Sequence, residues 1–445
     1  MNTPICDFVN KYVENDTSRL HMPGHKGVSL LGMERYDITE ISGADSLYEA
    51  DGIIQKSEEI ASRIFDCPTF YSTEGSSHCI RAIMYLASLH ARSRGEKPRV
   101  LASRNAHRTF LSAVALLDMD VDWIEPDMGP SYLSCVLSPD EVEKVLSRVD
   151  KKPTCLYITS PDYLGNMWDI KEISVVCKKH GVLLLVDNAH GAYLKLLDNG
   201  SHPIEQGADM CCDSAHKTLP CLTGGAYLHI SKNADPVFKN NAKDALSLFG
   251  STSPSYLILQ SLDMVNGLIL DGYDKRLQAF DKECLEVKEQ LKAAGYVFYG
   301  EENTKFTIET KKYGYRGTDF AEIMRKNHNL ECEFSDPDYV VFMASPVDKG
   351  LTKLKDALLS VEKREAICDT PPRISLPKRA MSVRDAILSP SEAVSVEKSL
   401  GRVLSVCTVS CPPAVPILMS GEIIDENCIN AFRYYGIRDV KVVLK

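Results

Sequence analysis

A lysine set among small and polar residues is the clearest chemical signal in the sequence. Lys217 lies in the segment SAHKTLP, residues 214–220, just ahead of Gly224-Gly225. Most lysines are solvated surface residues, and that interpretation stays open for Lys217 taken alone. Partial desolvation, however, favours the neutral amine, which attacks aldehydes and can hold a carbonyl cofactor as a Schiff base. Lys217 is therefore a candidate cofactor anchor.

An aspartate thirty residues before this lysine could supply the complementary charge. The apolar run from Val182 to Val186 has no polar alternation, which predicts a strand covered on both faces, and it ends in DNAHG, residues 187–191. A carboxylate at a strand end can pair with a pyridinium nitrogen and keep the ring able to accept electrons. Taken alone, Asp187 could equally be a helix N-cap, but Asp187 and Lys217 together favour a pyridine cofactor.

Two further segments have polar side chains at positions suited to a ligand. The segment STEGSS, residues 72–77, precedes a helical pattern from Ile80 to Arg94, so backbone amides and hydroxyls could bind a phosphate. Simple helix capping by serine is the alternative. In the segment RNAHRT, residues 104–109, His107 could lie on the face of an aromatic cofactor, although isolated histidines are usually structural.

Strand ends are needed to bring these segments together. From about residue 60 to 230, short apolar runs alternate with longer amphipathic segments, which predicts an α/β domain with parallel strands. Further on, a helical pattern covers residues 274–294 and strand-like runs follow it, so a smaller α+β domain is expected, with a proline-rich linker at 371–377. The other predicted strands are Val100 to Ala102, Val121 to Ile124, Cys155 to Thr159, Ala226 to Ile230, Tyr296 to Tyr299, Thr304 to Glu309 and Tyr339 to Met343.

Composition excludes several classes of function. With 445 residues, 44% hydrophobic and 25% charged, the chain is expected to fold as a globular protein of more than one domain. Its net charge of -10 disfavours nucleic acid and anionic membranes, and weakly favours small cations such as basic amino acids. The sequence begins without a signal peptide and has no apolar run long enough to span a bilayer, which predicts a cytoplasmic protein. The 15 cysteines have no zinc-site spacing, so we expect reduced thiols and no metal.

In this order, the motifs resemble those of the Orn/Lys/Arg decarboxylases of the aspartate-aminotransferase-like fold, in their short prokaryotic form. The segments HMPGHKG (21–27), DITE (37–40) and GADSL (43–47) resemble the family's opening arm. The segments RDA (384–386), SE (391–392), CPPAVP (411–416) and GE (421–422) resemble its final domain. The resemblance covers nearly the whole chain.

The resemblance implies a fold and a division into domains. The fold would be α/β, with a large domain of the pyridoxal-phosphate-dependent transferase type built on a mainly parallel seven-stranded sheet between helices, followed by small α+β C-terminal domains. The expected parts are an N-terminal arm (1–40), a large cofactor-binding domain (41–273), a small α+β domain (274–370) and a C-terminal decarboxylase-type domain (371–445).

The resemblance also assigns roles to residues. The catalytic residues would be Lys217, which holds pyridoxal 5'-phosphate as a Schiff base, Asp187 beside the pyridine nitrogen, and His107 stacked on the ring. Ala189 would pack against the ring, and His190 follows in the same strand-end motif. The remaining cofactor-binding residues would surround the phosphate: Gly75, Ser76, Ser77, Ser214 and His216.

The implied function is decarboxylation of a basic amino acid to the corresponding amine and carbon dioxide, in polyamine biosynthesis, by at least a homodimer. Arginine is favoured by analogy with short bacterial members, and lysine and ornithine remain open. Asn188 stands where many members have Glu, and Asp45, Glu49 and Asp51 are candidates for binding a distal cationic group. The alternatives are another pyridoxal-phosphate enzyme of the same fold (aminotransferase, lyase or aldolase), or a non-catalytic regulatory relative, which would normally have lost the lysine or the aspartate.

Overall fold

Seven strands form a mixed, mainly parallel sheet. The computed structural model describes residues 2–124, 131–372, 376–406, 410–411 and 415–444. The strands are β1 (Thr69–Ser72), β2 (Arg99–Ala102), β3 (Asp120–Trp123), β4 (Cys155–Thr159), β5 (Leu183–Asp187), β6 (Met210–Asp213) and β7 (Ala226–Ile230). Their order is β1-β7-β6-β5-β4-β2-β3. β5 pairs with β6 in parallel, as β2 does with β3, whereas β7 pairs antiparallel with both β1 and β6. The predicted fold class is thereby confirmed.

The central strands are buried along nearly their whole length. β4, β6 and β7 have almost no exposed side chains, as expected for strands that are covered on both faces and therefore lack polar alternation. The predicted bounds of β4 and β7 agree with the structure. β5 starts and ends one residue later than the predicted run, at Leu183–Asp187, and its last residue, Asp187, pairs with Cys212 of β6.

Fifteen α-helices are found in the described residues. They are α1 (Pro4–Glu14), α2 (Ile53–Phe65), α3 (Ser76–Ser93), α4 (Arg108–Leu116), α5 (Pro139–Arg148), α6 (Ile170–His180), α7 (Ala215–Thr218), α8 (Pro236–Asn240), α9 (Ala242–Ser247), α10 (Tyr256–Leu268), α11 (Asp274–Ala293), α12 (Gly317–His328), α13 (Gly350–Ser360), α14 (Val383–Leu388) and α15 (Glu426–Tyr434). None of the helices in this part of the chain is long and apolar enough to cross a membrane.

The chain forms two compact units. The first contains residues 1–96, 154–156 and 170–275, and the second contains 97–153, 157–169 and 276–445. The four-part division expected from the sequence stays a prediction. Within the predicted linker, residues 373–375 lie outside the described residues, and so do residues 412–414 of the C-terminal proline motif.

The second unit contains three small sheets. Their strands are β8 (Phe298–Tyr299), β9 (Lys305–Glu309), β10 (Phe334–Ser335), β11 (Tyr339–Met343), β12 (Ser391–Ser395), β13 (Ser410–Cys411), β14 (Val415–Pro416) and β15 (Asp439–Val443). The first four form an antiparallel sheet in the order β10-β11-β9-β8, whose apolar side chains pack with those of α11, α12 and α13. β12 pairs with β15, and β13 with β14.

Candidate active site

Asp187 ends β5 as a buried carboxylate. It is 2% exposed, and its Oδ1 accepts the backbone N–H of Ala189 at 3.2 Å and the thiol of Cys212 at 3.6 Å. The next helical turn begins only at Ala192, so Asp187 caps no helix. The alternative interpretation as an N-cap is therefore wrong, and the carboxylate lies at a strand end, where α/β sheets bind their ligands.

Lys217 follows the neighbouring strand. β6 ends at Asp213, and the single turn α7 carries Lys217, which is half-buried. Its Nζ lies 3.1 Å from Nε2 of His190, a ring that is only 4% exposed. His190 is three residues beyond Asp187, so the two strand ends are joined through this contact. The structure thus brings together the lysine and the strand-end motif that were predicted to act together.

The start of α3 has the geometry of an anion site. Gly75 precedes the helix with a φ of 73°, and no side chain caps the helix. The serines of this segment therefore do not serve as its N-cap. The hydroxyl of Ser214 donates to that of Ser76 at 2.6 Å, which joins the start of α3 to the end of β6. A Cβ on Gly75 would lie 3.9 Å from Cε1 of His216. The amides, hydroxyls and imidazole that were predicted to hold a phosphate therefore converge. Ser77, half-buried, is the second residue of α3.

His107 belongs to the second unit and caps α4. Its Nδ1 accepts the backbone N–H of Thr109 at 3.2 Å. Its predicted position over the cofactor ring stays a prediction.

Asp45 has a structural role. Its carboxylate accepts backbone N–H groups of Ser46, Asp51, Gly52 and Ile54 at 2.8 to 3.0 Å. Burial alone would raise the pKa of Asp45, but these hydrogen bonds hold it below its usual value. Asp45 is thus already engaged by the loop that starts α2, and it is a poor candidate for binding a substrate cation.

A buried polar network lies behind the strand ends, and no local pattern of residues predicts it. Asp213, fully buried, accepts from Asn188 Nδ2 at 2.6 Å and lies 3.1 and 3.2 Å from Nε2 of His202 and His229. His202, Cys211 and Asp213 also form the one group of three potential metal ligands found among the described residues, with ligand atoms within 4.8 Å of one another. His202 lies 11 residues before Asp213 in the sequence and His229 lies 16 residues after it. This spacing matches none of the sequence motifs described above.

Comparison with known proteins decides the family. Residues 3–313, well over half of the chain, match the family model described as Orn/Lys/Arg decarboxylase, major domain. The chain belongs to this family. As a member of it, the chain is a decarboxylase.

Two relatives of this decarboxylase align over nearly its full length. It is 29% identical to the arginine decarboxylase of Halalkalibacterium halodurans, over 96% of this chain and 91% of that protein. It is 24% identical to the arginine decarboxylase of Bacillus subtilis, over 96% and 92%. Lysine decarboxylase A from Pseudomonas aeruginosa has a similar structure, with a TM-score of 0.79 at 16% identity, over 99% of this chain and 80% of that one. The structural similarity shows the fold, and the match to the family model shows the family.

Proposed function

We propose that this enzyme binds pyridoxal 5'-phosphate on Lys217 and decarboxylates arginine to the corresponding amine and carbon dioxide. The observation that carries the proposal is the 3.1 Å contact between Lys217 Nζ and His190 Nε2, three residues beyond the buried carboxylate of Asp187. A decarboxylase of this kind needs an amine and an acid at adjacent strand ends, and β5 and β6 supply them.

The donor set fits this cofactor. An amine, a buried carboxylate and a helix start without a side-chain cap match its aldehyde, its ring nitrogen and its phosphate. When bound, the cofactor supplies a protonated ring that accepts the electrons left as carbon dioxide departs. Asp187 would keep the ring nitrogen protonated, and Ser76, Ser214 and His216 would hold the phosphate.

His190 would control the proton on Lys217. In its protonated form, the Lys217 ammonium donates to His190 Nε2, which must then carry a lone pair. The nearly complete burial of His190 keeps water from replacing it at this position. His190 would therefore hold the amine in one orientation, and Ala189, also buried, leaves room for a flat ring. The stacking of His107 is part of the proposal by family resemblance.

Arginine is proposed as the substrate because the two full-length relatives described above are arginine decarboxylases. The net charge of -10 favours the approach of a cationic amino acid. Lysine and ornithine are the other candidates, and the amine product suits polyamine biosynthesis.

Incubation of the cofactor-loaded enzyme with arginine, lysine and ornithine separately tests the reaction. Carbon dioxide and one amine, formed in equal amounts and fastest from arginine, are the expected result. A keto acid would instead make the enzyme an aminotransferase. Release of carbon dioxide only from lysine or ornithine would correct the substrate and leave the reaction standing.

The anchor is tested by absorbance. The wild type with pyridoxal 5'-phosphate should show a visible band that disappears on treatment with borohydride, because reduction of the C=N bond fixes the cofactor on the amine. Lys217→Ala should lack the band, whereas the exposed-lysine control Lys239→Ala should keep it. A band of normal intensity in Lys217→Ala would refute the assignment.

We also propose a homodimer. The segment 20–33 exposes six large apolar side chains, of which Leu20 and Leu31 are more than 90% exposed, and such a concentration on one segment favours a protein partner. Light scattering after size exclusion should give twice the chain mass, and Leu30→Asp/Leu31→Asp should shift it toward the monomer. A monomeric wild type would contradict the proposal.

A further inference from the structure

Two consecutive residues of β6 contact the end of β5 from opposite faces of the sheet. Cys212 pairs with Asp187 in the register of the strands, and its thiol lies 3.6 Å from Asp187 Oδ1. Asp213 points the other way and accepts from the side chain of Asn188, the residue after Asp187, at 2.6 Å. The alternation of side chains along a strand produces this arrangement. The end of β5 is thus held on both faces.

The Cys212 contact is a hydrogen bond to a charged group. Burial, and then the charge of Asp187, raise the pKa of the Cys212 thiol well above its ordinary value. The thiol therefore keeps its proton and donates to the carboxylate. Together with the N–H of Ala189, it gives Asp187 two donors on the same oxygen, Oδ1, which restrains the rotation of the carboxylate.

Two histidines restrain the Asp213 carboxylate that accepts from Asn188. Burial works against a charge here, yet interactions with His202 and His229 hold the pKa of Asp213 below its usual value. Burial lowers the pKa of His229 and so favours its neutral ring. Because the Asp213 carboxylate can only accept, Nε2 of that ring is the donor. Asp213 is thereby fixed as an acceptor for Asn188. Gly191 leaves the space that the amide needs, because a Cβ there would lie 2.0 Å from Asn188 Oδ1.

A metal ion is the competing interpretation of this network. His202, Cys211 and Asp213 have suitable ligand atoms. However, both carboxylate oxygens of Asp213 already have hydrogen-bond partners, one from Asn188 and one from the two histidines. The hydrogen-bonded network accounts for the geometry without an ion.

We propose that Cys212 and Asp213 are positioning residues for Asp187: the Cys212 thiol orients its carboxylate from one face of the sheet, and Asp213 fixes the strand end through Asn188 from the other. The inference rests on the proposed function, in which Asp187 contacts the ring nitrogen of pyridoxal 5'-phosphate. Neither residue touches the reacting atoms. Both act on how firmly the cofactor is held.

Titration of the apoprotein with pyridoxal 5'-phosphate tests the Cys212 half. Cys212→Ala should weaken cofactor affinity about five-fold, the loss expected for a weak donor to a charged group, and Cys212→Ser should restore it. Cys155→Ala is the matched control, since it removes an equally buried thiol from the start of β4. Equal affinities for the Cys212→Ala and Cys155→Ala proteins would overturn this half.

A double-mutant cycle tests the Asp213 half. Asp213→Asn and Asn188→Ala should each weaken cofactor affinity about ten-fold, and the double variant should be no weaker than the worse single variant, because both break one connection. Additive losses would overturn the connection. One equivalent of tightly bound zinc in the purified protein would also overturn it, since Asp213 would then be a metal ligand.

The same titrations separate this inference from the proposed function. If the wild type gives no visible band with pyridoxal 5'-phosphate, the proposed function fails and the inference falls with it. If the wild type binds the cofactor normally, Cys212→Ala matches its control and Asp213→Asn matches the wild type, the positioning inference alone is wrong.

Discussion

Removal of Glu422 should strongly destabilise the second unit, because it leaves a charge buried without a partner. The guanidinium of Arg104 and the carboxylate of Glu422 form two hydrogen bonds, of 2.7 and 2.9 Å, and their side chains are only 8% and 4% exposed. Glu422 also accepts the backbone N–H of Met419 at 2.9 Å. Arg104 is the first residue of the segment that contains His107, so this pair links that segment to the C-terminal GE motif.

The expected magnitude follows from burial. Breaking one side of a buried ion pair costs about 3–5 kcal/mol, whereas replacing both partners with apolar side chains is often neutral or stabilising. Glu422→Ala should therefore lower the urea midpoint of the second unit by roughly 1 M or more, for a slope of about 3 kcal/mol per M. Arg104→Met/Glu422→Met should recover most of this loss.

Tryptophan fluorescence reports on this unit selectively. The two tryptophans of the chain, Trp123 and Trp168, both belong to the second unit, and the Arg104 guanidinium lies 5.7 Å from the Trp123 ring centroid. The matched control is Glu331→Ala, which breaks a bidentate pair with Arg325 that is exposed on both sides, so its midpoint should hardly change. Equal midpoints for the Glu422→Ala and Glu331→Ala proteins would refute the argument from burial.

Three other variants test separate parts of the structure. Burial raises the pKa of Asp336 to about 7, so the folded chain keeps a proton there that the unfolded chain releases above about pH 4. Asp336→Asn should therefore gain stability over the wild type by up to about 1.4 kcal/mol per pH unit between pH 4 and 7, as measured by urea unfolding. A difference in stability that does not depend on pH would contradict this. Gly75→Ala should cost about 1–3 kcal/mol in thermal unfolding, because its φ of 73° and ψ of 177° suit only glycine; an unchanged melting temperature would argue against that backbone conformation. Asp263→Ala should speed hydrogen exchange in α1, because the carboxylate accepts the N–H groups of Ile5 and Cys6 at 2.9 and 3.0 Å; unchanged exchange would show that packing alone holds this helix.

Several elements could be predicted because their signals are local. β4 and β7 are short, mostly apolar runs, and α11, predicted over 274–294, is found at Asp274–Ala293. The start of α3 was harder to predict. Periodicity placed it at Ile80, whereas the helix begins at Ser76, since hydroxyl residues in a first turn carry no apolar period.

The sequence by itself determined which side chains could act and where they stand along the chain. An amine in a short polar segment, an acid after a buried strand and hydroxyls before a helix are local patterns, and β pairing then brings such strand ends to one edge. Only the tertiary structure decided what surrounds them. Cys212 reaches Asp187 across 25 residues of sequence, and Arg104 reaches Glu422 across 318. Contacts at such separations depend on how strands and segments pack together, and no local pattern of residue types records that packing.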